Sequence, residues 1–268
     1  MKRGKKLEMM KKGIFALMFL VLLSNISLVL AVEPFGATVV NLSSERADPD
    51  SATSVPAIAG NVTELSVTGF STTQSWQGYF GNVSGTIQLA DSGDNVMYNW
   101  SLASPKGEIY ASTNDSVTWS YVQCFNFTSD GSYGDDTGNA GGTSQHGTNL
   151  TQLEEMFGIA DDDVDGVNET FVLYGSGHNT FYTNNLEFTE GECRNTQVFS
   201  SAGVGEDDKF EEVLLYEPST QSVVFASLLN ENVFGFDNNP HDFEMLVLEN
   251  GHLTDTSTTP YYFWVELE

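Results

Sequence analysis

From Asn61 onward the sequence is cut into short segments with period-two alternation of apolar and polar residues. That pattern constrains the fold more than any other feature. "TELSVTGF", "GTIQLAD", "NVMYNWSL", "SVTWSYV", "ETFVLY" and "YYFWVEL" are rich in β-branched and aromatic residues. A strand sends successive side chains to opposite faces, so such segments can bury one face each. "DSGDN", "SPKGE" and "STNDS" supply the turns between them. The predicted class is all-β, a mainly antiparallel, sandwich-like arrangement. One segment departs from it. In "TNLTQLEEMFG", Leu150, Leu153 and Phe157 share a helical face, which predicts a short helix near 149–158, capped by Thr148 or Asn149 and ended by Gly158. "DKFEEVLLYEP" holds helix formers, but Val213, Leu215 and Tyr216 ahead of Pro218 favour a strand.

The first residues belong to targeting. "MKRGKKLEMMKKG" carries six Lys/Arg and one Glu, and an apolar run follows up to Ala31. This order predicts a signal peptide, residues 1–31. The alternative is an uncleaved anchor, since Ile14 to Val32 would just cross a bilayer. Processing after Gly13, as in a prepilin-type leader, is a third option, without the acidic or amide residue usual after such a cut. Residues 32–60, rich in Ser, Ala, Pro and Asp, read as an N-terminal arm or stalk. Residues 61–268 read as one β-rich domain, with a Gly/Asp-rich loop at 130–147 dividing it into two halves.

The balance of charge is extreme. The chain has 10 Lys+Arg against 37 Asp+Glu, and the leader holds six of the former and one of the latter, so the mature net charge is −32. Self-repulsion of that size is relieved by salt or bound cations. It excludes nucleic acid as a partner, because phosphates are repelled. Eighteen Phe, ten Tyr and four Trp are too many for a solvated acidic tail. The only cysteines, Cys124 and Cys193, read in an exported chain as one disulfide. Closing that loop would stabilise the fold by ~4 kcal/mol in the chain-entropy model.

Eight Asn-x-Ser/Thr triplets begin at Asn41, Asn61, Asn82, Asn99, Asn114, Asn126, Asn149 and Asn168. Eight of the ten Asn between 41 and 168 lie in such triplets and none of the nine beyond does, although Ser and Thr stay common there. The expectation is N-glycosylation of a surface displayed outside the cell. A sugar cannot enter a packed core, so Asn82, Asn99, Asn114 and Asn126 should point outward. If Asn99 does, Met97 follows it, and Val96, Tyr98 and Trp100 point inward.

Other motifs are weaker. In "DDDVDGVNE", Asp161, Asp163 and Asp165 precede Gly166, with Glu169 beyond, which resembles the opening of a calcium loop. An EF-hand is excluded, because Val172 stands where its bidentate Glu belongs. A looser calcium site or an acidic exposed turn remain. The histidines, His146, His178, His241 and His252, are scattered, with neither a zinc pair nor a nucleophile elbow. "NNPHDFEM" sets His241 beside Asp242 and near Glu244, the one place where a hydrolytic site could assemble. Aromatics in "SWQGYFGNV" and "YYFWVEL" could stack on sugars. Alternation accounts for the latter without a ligand, with Tyr262, Trp264 and Glu266 on one face and Tyr261, Phe263, Val265 and Leu267 on the other.

Taken together, "GNVTELSV", "SWQGYFGNVSGTI", "SLASPKGEIYAS", "VDGVNETF" and "HDFEMLVLENGHLTDTSTTPYYFWVEL" resemble a group of small exported archaeal proteins, acidic and rich in glycosylation triplets. The resemblance implies a secreted or cell-surface location and brings no catalytic residues. The expected function is a structural, glycosylated envelope or filament protein without enzymatic activity. Its partners would be copies of itself or other envelope proteins, with the membrane touched only by an uncleaved leader. A secreted, cation-dependent glycan-binding or adhesion module is the alternative, and a hydrolase the third.

Overall fold

The computed structural model describes residues 33–127, 149–160, 163–173, 177–198, 209–250 and 258–267. The leader, the 130–147 loop, Asp161, His146 and His252 lie outside them. The described residues belong to one compact unit, Glu33–Glu268. In chain order its strands are β1 (Phe35–Gly36), β2 (Trp76–Gly81), β3 (Thr86–Ala90), β4 (Val96–Ser101), β5 (Gly107–Ser112), β6 (Gln123–Cys124), β7 (Phe181–Thr183) and β8 (Leu186–Phe188). They continue with β9 (Asn195–Gln197), β10 (Glu211–Glu217), β11 (Ser222–Leu228), β12 (Val233–Phe234), β13 (Pro240–His241), β14 (Phe243–Leu248) and β15 (Tyr262–Leu267). Two helices, α1 (Leu150–Met156) and α2 (Val167–Thr170), stand between β6 and β7.

The fold is all-β and antiparallel. A seven-stranded sheet runs β1-β15-β5-β11-β10, with β6 and β9 both pairing along β10. β14 and β2 form a second sheet over six residue pairs, and β3–β4, β7–β8 and β12–β13 are separate two-stranded pairs. The "EEVLLYE" run forms a strand, as expected. Every residue of it is buried, because the large sheet is covered on both faces.

On one face, Ile109, Ala111, Leu214, Tyr216 and Phe225 pack against Met245, Val247 and Leu248 of β14 and against Leu153, Phe157 and Phe171 from the helical segment. On the other, Tyr110, Val213, Leu215, Val224 and Ala226 pack against Phe181, Phe188, Trp119, Val122 and Cys193. Alternate residues of each strand thus enter different cores. β15 follows the expected facing, with Phe263 against the first core and Trp264 against the second. Gly107 lets β5 and β15 meet closely: its φ is +116°, and a Cβ there would strike the Glu266 carbonyl oxygen. The helix falls where its spacing predicts. Asn149 caps it in a capping box with Gln152, and Gly158, at φ +70°, follows its end.

Three expected strands are absent. "SVTWSYV" contains a 3-10 turn at Trp119–Tyr121 instead, because both Trp119 and Val122 turn into the second core. "ETFVLY" begins inside α2, and Leu173 makes only an isolated bridge to Asn195. "TELSVTGF" has no strand partner among the described residues, and residues 38–74 hold neither strand nor helix. The inward facing of Val96, Tyr98 and Trp100 is also corrected. They occupy the face opposite Met97 and Asn99, but no layer among the described residues covers that face, and Trp100 is 50 % exposed.

Candidate functional site

Asn41, Asn61, Asn82 and Asn99 are exposed, while Asn114, Asn126, Asn149 and Asn168 are half-buried. Sugar attaches at the amide nitrogen, so the bonds of each side chain matter. Asn149 uses Oδ1 to accept from the Gln152 N–H as a helix cap, which leaves Nδ2 for modification. Asn114 accepts the Ser116 N–H at Oδ1 and donates from Nδ2 to Ser222 Oγ at 2.9 Å. Asn168 accepts from Arg194 at Oδ1 and donates from Nδ2 to Glu169. Each Nδ2 carries a second hydrogen beyond the one donated. None of the eight lies in the core.

Asp163 and Asp165 of the acidic turn are both hydrogen-bonded. Asp163 accepts the Ala160 N–H at 2.8 Å. Asp165 accepts from the Thr73 hydroxyl, while its carbonyl takes the Trp76 indole N–H at 2.6 Å. These bonds pin the turn to the start of β2. Glu169 accepts from Asn168. The decisive carboxylate is one that spacing did not single out. Glu154 on α1 is buried and accepts the Val167 and Asn168 N–H groups at the start of α2. Among the described residues no group of three or more His, Cys, Asp or Glu side chains is placed to hold a metal ion.

A test follows from that cap. Glu154→Ala leaves two N–H groups at a buried helix start without their acceptor, and an unfolding free energy lower by about 1–3 kcal/mol is expected. Glu154→Gln, which retains an acceptor oxygen, should recover about half of the loss. Equal stability of wild type and Glu154→Ala in urea would show that the cap is not structural.

His241 and Glu244 turn to one loop and Asp242 to another. His241 Nε2 lies 2.9 Å from Asp237 Oδ1, and its ring packs edge-on against Phe80. Hydrogen bonds from Asn239, with a smaller contribution from His241, hold the Asp237 carboxyl down at about 2. Asp242 turns away to accept the Val83 and Asn232 N–H groups. Glu244 accepts the Phe236 N–H, and burial raises its carboxyl above the ordinary range. His241 and Glu244 thus fasten the same 235–239 loop, and Asp242 holds the chain at Val83 and Asn232.

The same device recurs through the fold. Glu211 holds the Asn179 amide groups, and Glu266 the Asn184 N–H. Glu217 collects four bonds from Ser219 and Thr220. Burial opposes ionisation of Glu217, but those bonds prevail and keep its carboxyl low. With four basic residues beyond residue 31, carboxylates find backbone N–H groups where another protein would offer Lys or Arg. His178, whose ring accepts at Nε2 from the Cys193 N–H, is lowered by burial.

A cleft of about 180 Å³ opens between Asn114, Ser222 and Val223 on one side and Leu153, Met156 and Phe157 on the other. It is smaller than the roughly 300–1,000 Å³ of small-molecule sites. The chain matches no family model, no curated protein and no solved structure.

Proposed function

We propose that this chain is an exported, N-glycosylated structural protein of the cell surface, built into an envelope or a filament and without enzymatic activity. The concentration of eight acceptor triplets between Asn41 and Asn168 carries the reading. All eight asparagines lie outside the core, and the four most open stand on the extended segment before β2 and around the β3–β4 hairpin. The Cys124–Cys193 disulfide supports it, since such bonds persist in oxidising compartments. So does the anchoring of loops by carboxylates, which keeps an acidic chain folded where salt screens its repulsion. The resemblance to exported archaeal proteins points the same way.

Glycopeptide mass spectrometry of protein recovered from its native source is the test. Sugar is expected at most of the eight sites, with Asn82 and Asn99 among the fully modified. An unmodified majority would remove the reading's main support.

A further inference from the structure

The β3–β4 hairpin is an incomplete sheet. Its cross-strand pairs set Ile87 against Trp100 and Leu89 against Tyr98 on one face, while Thr86, Gln88, Asn99 and Ser101 share the other. Among the described residues nothing covers the apolar face, and neither strand has a further neighbour. Two-stranded hairpins are marginal in water, and a third strand with a shared apolar face is what normally stabilises them. The acceptor triplet at Asn99 is on the polar face, so a sugar there would leave the apolar face open.

The same chain contains a segment with a strand's pattern and no sheet. Residues 62–70, "VTELSVTGF", carry strand alternation. Yet Val62 is 101 % and Val67 85 % exposed, and residues 62–70 hydrogen-bond to no other element among the described residues. They sit in an excursion, residues 38–74, without regular structure, far longer than connections in compact domains commonly run. Length matches length: nine extended residues span roughly 30 Å, enough to run along a hairpin strand of roughly 20 Å.

We infer that residues 62–70 of one copy add as a third strand to the β3–β4 hairpin of the next copy, linking the molecules head to tail. Three observations select a second copy as the occupant. The first is direction. The excursion enters β2 at Trp76, whereas the hairpin leaves from the Gly81 end, where Gly85 lies against Leu267. Six paired residues of β2 hold these ends roughly 20 Å apart. Donor and acceptor at opposite ends make a heterologous contact, which propagates.

The second is charge. Residues 51–105 carry only Glu64, Asp91 and Asp94 as charged side chains in a chain of net charge −27, so strongly acidic copies can approach through these segments. The third is area. Two half-exposed aromatic and three half-exposed aliphatic side chains leave on the order of 500 Å² of apolar surface, at the upper end for a monomer. Covered by Leu65, Val67 and the strand backbone, that face approaches the ~800 Å² per partner of a stable interface. The inference rests on the structural reading above and gives it a joint.

The experiment uses the exported, glycosylated protein in molar salt, with light scattering and negative-stain imaging. Wild type is expected to form linear oligomers. Leu65→Asp with Val67→Asp removes the donor, and Tyr98→Ser with Trp100→Ser removes the acceptor. Because these positions are exposed, each pair should leave the melting temperature within a few degrees of wild type while reducing the protein to monomer. Mixing the two variants should restore a single joint and double the apparent mass.

Oligomers that survive both pairs of substitutions would overturn the joint and leave the filament reading intact. A monomeric wild type at every concentration would overturn both. A monomeric wild type whose Trp100 fluorescence shifts to the red only in the donor variant would place the strand on its own hairpin, which also overturns the joint.

Discussion

Replacing Cys124 and Cys193 together by alanine is expected to lower the unfolding free energy by about 4 kcal/mol. The two residues are 69 positions apart, and their Cα atoms lie 5.2 Å from each other. In the unfolded chain the bond closes a long loop, and the entropy it removes grows with the logarithm of loop length. In the folded chain it fastens two weakly held pieces. Cys124 is half of β6, which pairs with Leu215 and Tyr216 of β10. Cys193 precedes β9, which pairs over three residues with β10. The segment bearing β7, β8 and Phe188, the cover of the second core, is thus joined to the large sheet by β9, by the disulfide and by side-chain bonds of Tyr110, Glu211 and Glu266. Urea unfolding of the double variant against the oxidised wild type measures the difference. A loss under about 1 kcal/mol would mean that the loop is already compact in the unfolded state. Separate loss of near-ultraviolet signal from Trp119 at lower urea would show the second core detaching first.

How much of this was legible in the sequence depends on whether a feature is local. The α1 helix was, because Asn149, Gln152 and Gly158 carry its cap and stop within ten residues. The β3–β4 hairpin was, because Asp91 and Asn95 bracket its turn, and Asp91 accepts the N–H groups of Gly93 and Asn95 there. Alternation also assigned the faces of β15. It could not say that both faces would be covered, since that depends on residues 177–198 folding over the far side of the sheet.

The failures have the same root. "TELSVTGF" has a strand's pattern, but a strand exists only when another edge accepts it, and no edge among the described residues does so. The cation reading of Asp161, Asp163 and Asp165 is not among them: it rests on spacing, which does not report that Asp163 accepts the Ala160 N–H and Asp165 the Thr73 hydroxyl. Glu154, which caps α2 from twelve or more positions away, has no local signature at all. Nor has the divergence of Asp242 from His241 and Glu244, which both serve the 235–239 loop.

Glu212 should make the stability of this protein fall with rising pH, and Glu212→Gln should abolish that part of the fall. The side chain points from β10 toward β14, fully buried, where Oε2 accepts the Leu246 N–H at 2.8 Å. Oε1 has no hydrogen-bond partner. An ionised carboxyl there would lose its hydration with one bond in return. Burial therefore lifts its pKa well above the ordinary carboxylate range, against a smaller lowering by the Leu246 N–H. The Tyr261 phenol, also raised by burial, is a further group that feels its charge.

The sign follows from linkage. With the folded value above the unfolded one, the unfolded chain releases this proton first as pH rises. Stability is then fully present below the ordinary carboxyl range and declines by about 1.4 kcal/mol per pH unit through the window up to the folded value. Glutamine keeps an acceptor for Leu246 and has no proton to lose. The stability of Glu212→Gln minus that of wild type should therefore grow steadily from about pH 5 upward. Using the difference between the two proteins cancels Asp237 and Glu217, whose lowered values act oppositely and cost stability as pH falls. Glu212→Leu separates charge from bonding: it is also free of the pH term, but lacks the acceptor and should lie about 1–3 kcal/mol below Glu212→Gln at every pH. Parallel pH profiles for wild type and Glu212→Gln would mean that water or a rearrangement of β14 reaches this carboxyl. The interior between the large sheet and β14 would then be wetter than its apolar lining implies.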